Sequence, residues 1–254
     1  MALGPTDSAG QPWKGRSFEP NPNAADDGTA PAAFLEAHAA FRAGEATIVD
    51  LVETIRRCRF LIPLVAVAGE TGVGPDGQLV DKSQELSIIT VEGPDGRPVL
   101  PVFSSTAAMA AWRADARPVP ADAVRVALAA ASENTDRVVI DPRSETLVVL
   151  PRPAVWAVAQ SRPWAPAVDD DDVVEALSRP ANEHPVIWAV SVVPGDPRAT
   201  GAGPEVVVRV AHDPDAQPEE VRAALSALGA AWASDPTVAE RVDSISIQPI
   251  AAPR

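Results

Sequence analysis

Cys58, the chain's single thiol, stands among Arg56, Arg57 and Arg59, and neighbouring cations favour a thiolate able to transfer sulfur or sense oxidants. The spacing around it points inward instead. Ile48, Leu51, Val52, Ile55 and Cys58 recur at three- and four-residue intervals, which places the sulfur on the buried face of a helix and the arginines elsewhere. Ser104 and Ser105 follow an apolar strand and open a helix, where hydroxyls cap free backbone amides and where a small anion or ligand could also be held. No glycines flank the pair as a nucleophile elbow requires.

Three further patterns resemble sites and lack an essential part. Gly69-Glu70-Thr71-Gly72-Val73-Gly74 imitates the opening of a phosphate loop, but Pro75-Asp76 stands where Lys and Ser or Thr are needed, which predicts a plain loop over 69–77. Asp169-Asp170-Asp171-Asp172 lacks the alternate spacing and central glycine of a calcium loop and suits the start of a helix, where carboxylates complement the macrodipole. His38, His184 and His212 form no metal-spaced pair, and His38 reads as a satisfied helix-face residue beside Phe34 and Phe41. No metal site, no cofactor and no catalytic constellation are expected.

The elements that must carry these residues follow from periodicity. A helix opens at Pro31 and stops at Gly44, a second covers 46–57, and the apolar run 60–67 is a strand in which Pro63 suggests an edge or bulge, open to pairing with a second copy. Strands over 86–91 and 98–103 should pair as a hairpin through Gly93-Pro94-Asp95-Gly96-Arg97. Helices are predicted from Ser104 or Ser105 to Trp112, over 120–132 with Val124, Leu128 and Ala131 inward, and over 153–160. Short strands over 138–140 and 146–150 flank the turn Asp141-Pro142-Arg143-Ser144. Beyond Ser161-Arg162-Pro163-Trp164-Ala165-Pro166, helices over 170–178 and 218–233 and strands over 186–193, 205–211 and 244–249 give a helical layer on one face of a small sheet, with a mobile loop over 195–203.

The expected fold class is α+β: a mobile arm over 1–30, a mixed α/β domain over 31–160, a linker over 161–169 and a smaller α+β domain over 170–254. Within the arm, Trp13, Arg16 and Phe18 put aromatic and cationic side chains where polar filler is usual, a patch suited to docking on the protein's own body or on a separate protein partner. A net charge of −14 repels nucleic-acid phosphate and anionic lipid, so neither is an expected partner. One cysteine, no apolar stretch approaching about 18 residues and no signal-peptide pattern at the start predict a cytoplasmic protein.

Several of these segments carry a resemblance. Leu61-Ile62-Pro63-Leu64-Val65, Asp81-Lys82-Ser83-Gln84-Glu85-Leu86, Asp95-Gly96-Arg97, Leu100-Pro101-Val102-Phe103-Ser104-Ser105 and Val139-Ile140-Asp141-Pro142 resemble the SseB family, named for enhanced serine sensitivity. The likeness covers roughly residues 31–160; the second half is similar to the family's C-terminal domain, and the arm is similar to those of actinobacterial members. Asp141-Pro142 and Phe103-Ser104-Ser105 stand where many members carry Asn-Pro and Phe-Thr-Ser, swaps that keep the turn and the cap. The family has no established catalytic residues. The resemblance implies a noncatalytic interaction or regulatory protein linked by name to amino-acid tolerance. Thiol-dependent sulfur transfer at Cys58 and small-anion or amino-acid sensing at Ser104 and Ser105 are the alternatives.

Overall fold

The computed structural model describes residues 26–68, 71–73, 79–81, 84–93 and 95–253, with the backbone alone for 66–68, 71–73, 79–81 and 84–86. Helix α1 (Ala32–Ala43) follows Pro31 and stops at Gly44, whose φ of 76° is a left-handed conformation that an L side chain adopts only under strain. Helix α2 (Ile48–Ile55) starts with a capping box in which Thr47 and Asp50 satisfy each other's backbone amides. Phe34 from α1 and Leu51, Val52 and Ile55 from α2 face a common core.

The strand β1 (Arg59–Ala68) crosses that core with both faces covered, Phe60 and Ile62 on one side and Leu61 on the other, as its continuous apolar run requires. A ribbon of β2 (Thr71–Val73) and β3 (Leu79–Asp81) follows, so the segment 69–77 predicted to be a plain loop contains one strand, paired with another just beyond its end. Next come β4 (Gln84–Ile88), β5 (Val91–Glu92), β6 (Pro98–Val102), α3 (Thr106–Trp112), β7 (Arg117–Asp122), α4 (Ala123–Ser132), β8 (Arg137–Ile140), β9 (Val148–Leu150) and α5 (Arg152–Ala159). They form sheets of order β4-β1-β7 and β5-β6-β8-β9, joined where Leu61 and Phe103 exchange backbone hydrogen bonds.

Three expectations need correction in this part. The predicted hairpin is cut down to Val91–Glu92 against Pro98–Val99, because β4 turns away to pair with β1. Pro63 is not on an edge. It faces Pro118 of β7 across a ladder, at the point where β1 changes partner from β7 to β4, so the missing amide interrupts no continuous pairing. Helix α4 begins three residues later than predicted, because Arg117–Asp122 is strand and Asp122 supplies the cap. Its buried face is then Ala123, Val126, Ala127 and Ala130, and Leu128 is 55 % exposed. In an alanine-rich helix several faces share apolar spacing, and the strand-to-helix junction decides which one turns inward.

The C-terminal part has its own core. A 3-10 turn over Ala167–Asp169 leads to α6 (Asp171–Ser178), β10 (Ile187–Pro194), β11 (Val206–His212), α7 (Pro218–Ser234), α8 (Pro236–Arg241) and β12 (Ile245–Ala251). Strand β11 is central, antiparallel to β10 and parallel to β12. Its inward residues Val206, Val208 and Val210 meet Val173 and Leu177 of α6 and Leu228 and Trp232 of α7, while the Trp232 indole N–H donates to the Leu177 carbonyl at 3.0 Å. The fold is α+β: a mixed N-terminal part followed by a smaller three-stranded sheet with helices on one face. Helix α8 was not anticipated, since its six residues are too few to show a period.

Candidate functional site

Ser104 and Ser105 divide the labour at the start of α3. The Ser105 hydroxyl accepts the Ala108 amide at 3.1 Å. Ser104 is buried, and its backbone N–H and hydroxyl donate to the two oxygens of Asp141 at 2.7 and 2.6 Å. Thr146 Oγ1 donates to the same carboxylate at 2.7 Å. The position that an external anion would take at Ser104 is thus filled by the chain's own carboxylate. Asp141 adopts φ 49°, a conformation aspartate tolerates better than most residues, and it is fully buried.

Cys58 is buried beside Phe34, and burial pushes its thiol up, away from the thiolate that sulfur transfer needs. Two of the arginines around it have other partners, and Arg57 is exposed. Arg59 forms a fork with Asp26 and donates to the carbonyls of Ser104 at 2.5 Å and Thr29 at 2.7 Å, and Arg56 pairs with Glu53 at 2.8 Å. His38 is buried and only half satisfied: a backbone hydrogen bond at Leu147 reaches the ring, Nε2 has no partner among the described residues, and burial holds its pKa below the usual range. Asp170 caps α6 and, with Asp172, takes Arg241. Among the described residues no group of His, Cys, Asp and Glu could hold a metal ion. Trp13, Arg16 and Phe18 lie outside the described residues.

A cleft with polar groups in its wall lies between the two parts, among residues that carry no local sequence signal. A cavity of about 300 Å³ is walled by Phe41, Ile48, Val149, Pro151, Trp164 and Pro166 on one side and by the 195–203 loop, Glu205 and Asp243 on the other. That loop is not the free segment expected. Ala199 is packed into the N-terminal core, its carbonyl accepts the Val149 amide at 2.7 Å, and Asp196 takes the Thr200 hydroxyl and the Gly201 amide at 3.1 and 2.5 Å. Trp164, read as part of a linker, packs against the N-terminal core, and Ala167 three residues later belongs to the C-terminal one.

An ion-pair hub closes one end of the cleft. Arg97 immediately precedes β6 and Arg137 opens its parallel neighbour β8, so both guanidiniums emerge at the same sheet end, and both reach Asp243: Arg97 Nη1 at 3.1 Å and Arg137 Nε at 2.5 Å. Arg137 also donates to Asp95 at 2.7 Å and to the Ser244 hydroxyl at 3.2 Å. The Asp243 amide in turn donates to Glu205 Oε2 at 2.6 Å. Glu205 Oε1 and the Trp164 indole nitrogen, both in residues of the cavity wall, are buried and have no hydrogen-bond partner among the described residues. Burial, with the negative charge of Asp243 adding to it, pushes the Glu205 carboxyl up to about 7. Burial likewise raises Asp243, against the pull of Arg97.

No helix of the described residues is long and apolar enough to cross a membrane. No curated protein and no solved structure matches the chain. The family model described as SseB protein N-terminal domain matches residues 32–157, which span α1 through most of α5 and include Cys58, the Ser104–Asp141 pair and the Arg97 and Arg137 side of the hub. By that domain the chain belongs to the SseB family.

Proposed function

We propose that this chain is a noncatalytic regulatory module of the cytoplasm whose input is a small molecule held in the cleft between its two parts. The observation that carries the reading is the cleft itself. A largely apolar cavity of about 300 Å³, at the lower end of the range for ligand sites, has in its wall buried polar atoms without partners among the described residues, and the segments around it also join the two cores. Occupancy would therefore bear on how firmly the halves are held, and a protein partner reading that setting, with the Trp13, Arg16 and Phe18 patch as one point of contact, completes a regulatory role. The noncatalytic part of the proposal is supported by the raised Cys58 thiol and by Ser104, whose hydroxyl is buried against the Asp141 carboxylate and out of reach of a substrate. Amide and indole NMR spectra recorded with neutral, cationic and anionic fragments test it. The expected result is a set of shifts confined to the Trp164 indole and the Gly201 and Gly203 amides; spectra unchanged by every fragment overturn the reading.

A further inference from the structure

The cleft's charge narrows what it can hold. Its wall contains the carboxylates of Asp169, Asp196, Glu205 and Asp243 against one cation, Arg137. That guanidinium is already divided among Asp243, Asp95 and Ser244. Asp169 is exposed to water, Asp196 is engaged by its own loop and Asp243 by two arginines, so Glu205 Oε1 is the buried acceptor in the wall that has no partner among the described residues. Arg152, the other cation whose field reaches Glu205, lies outside the wall and gives its guanidinium to the carbonyls of Ala239 and Val242 at 2.6 and 2.5 Å.

We infer that the cleft takes a small organic monocation with an apolar body, a primary amine of about the bulk of phenethylamine, whose ammonium partners Glu205. The inference rests on the small-molecule reading of the cleft given above. Phe41, Ile48, Val149, Pro151 and Pro166 receive the body, and Trp164 and Phe41 add ring faces that attract a cation. An anion would meet four carboxylates, and a neutral alcohol would satisfy the oxygen without answering its charge. The side chain of Glu205 turns toward the cavity to make the contact, exchanging a buried unpaired oxygen for a charge-assisted hydrogen bond.

The test compares three probes of similar shape, phenethylamine, 2-phenylethanol and 3-phenylpropionate, by calorimetry and thermal shift on the full chain. The expected order has the amine binding roughly tenfold tighter than the alcohol, the value of one charge-assisted hydrogen bond, and the carboxylate weakest. Glu205→Gln should remove that preference, bringing the amine's affinity down to no better than the alcohol's, and Ile48→Trp, which fills the cavity from α2, should abolish binding of all three; far-UV circular dichroism confirms that both variants are folded. An alcohol or carboxylate that binds as well as the amine overturns the cationic ligand and leaves the cleft reading standing. No binding of any probe, or binding undiminished in Ile48→Trp, overturns both.

Discussion

Asp141 and Glu205 are both carboxylates taken out of water at the end of a strand, and they are treated in opposite ways. Asp141 follows β8 and receives three short hydrogen bonds from Ser104 and Thr146, so both of its oxygens are satisfied. Glu205 precedes β11 and receives one, from the Asp243 amide, and its second oxygen has no partner among the described residues and lies next to a cavity. A buried acceptor that is fully engaged fixes structure; one that is half engaged is destabilising by itself and has capacity left for something else. The family resemblance draws the eye to the first region, where the distinctive Phe103-Ser104-Ser105 and Asp141-Pro142 segments meet. The chemistry left open lies in the second.

The sharpest way to break the comparison is Asp141→Ala. Removing the carboxylate leaves the buried Ser104 amide and hydroxyl without acceptors and the part-buried Thr146 hydroxyl with Ser144 alone beside it, and the left-handed φ no longer suits the side chain. A loss of about 4 kcal/mol in urea-unfolding stability is expected. A loss under about 1 kcal/mol would mean that the junction relaxes easily and is not a staple.

Arg137→Met tests the other region with a smaller effect. Asp243 keeps Arg97 but loses its second guanidinium, and Asp95 and Ser244 lose a donor each. About 3 kcal/mol is expected, since removing one partner leaves a buried charge undercompensated. Limited proteolysis should then cut first around 195–203, where the two parts are clasped. Unaltered proteolysis would show that the hub does not hold the halves together.

How much of this was legible in the chain depends on the range of the interaction. Helices α1 and α2 could be read because Pro31, Gly44 and the Thr47–Asp50 box are local signals within a few residues of the ends they set. Ser105 as a cap was legible for the same reason. The Ser104–Asp141 pair spans 37 positions and the Asp243–Glu205 pair 38, and the sequence shows Asp141 only as a turn residue and Glu205 only as the start of a strand. Trp164 sits in a proline-rich stretch whose composition reads as linker, yet its indole packs on the N-terminal core. Charges alternate with apolar residues on any surface, so no local pattern could mark Arg97, Arg137 and Asp243 as one cluster.

A third test turns the contrast into a pH profile. The Glu205 carboxyl ordinarily titrates near 4.5 and is raised to about 7 in the fold, so the folded state holds its proton more tightly than the unfolded one. As pH rises from 4.5, the unfolded chain releases that proton first and is favoured. Glu205 therefore withdraws up to about 3 kcal/mol of stability between pH 4.5 and 7, with little change above. Burial raises Asp243 too, so its carboxyl likewise withdraws stability as pH rises. Glu205→Gln should be more stable than the parent at pH 8 and show no such advantage at pH 4.5. Equal stability of the two proteins at pH 8 would place Glu205 in contact with water and remove the contrast with Asp141.

The smallest effect separates the two serines. Ser105 is half-buried and serves one amide of a seven-residue helix, so Ser105→Ala should cost about 1 kcal/mol, the usual worth of a cap. Ser104→Ala removes a buried hydroxyl from a charged acceptor and should cost more, about 2 kcal/mol, while the backbone amide at that position still holds Asp141. Thermal unfolding of the two variants side by side reads the difference. If Ser105→Ala proves the more damaging, helix capping outweighs the bond to the buried carboxylate, and the Ser104–Asp141 contact contributes packing and not the closed hydrogen-bonding that sets it apart from Glu205.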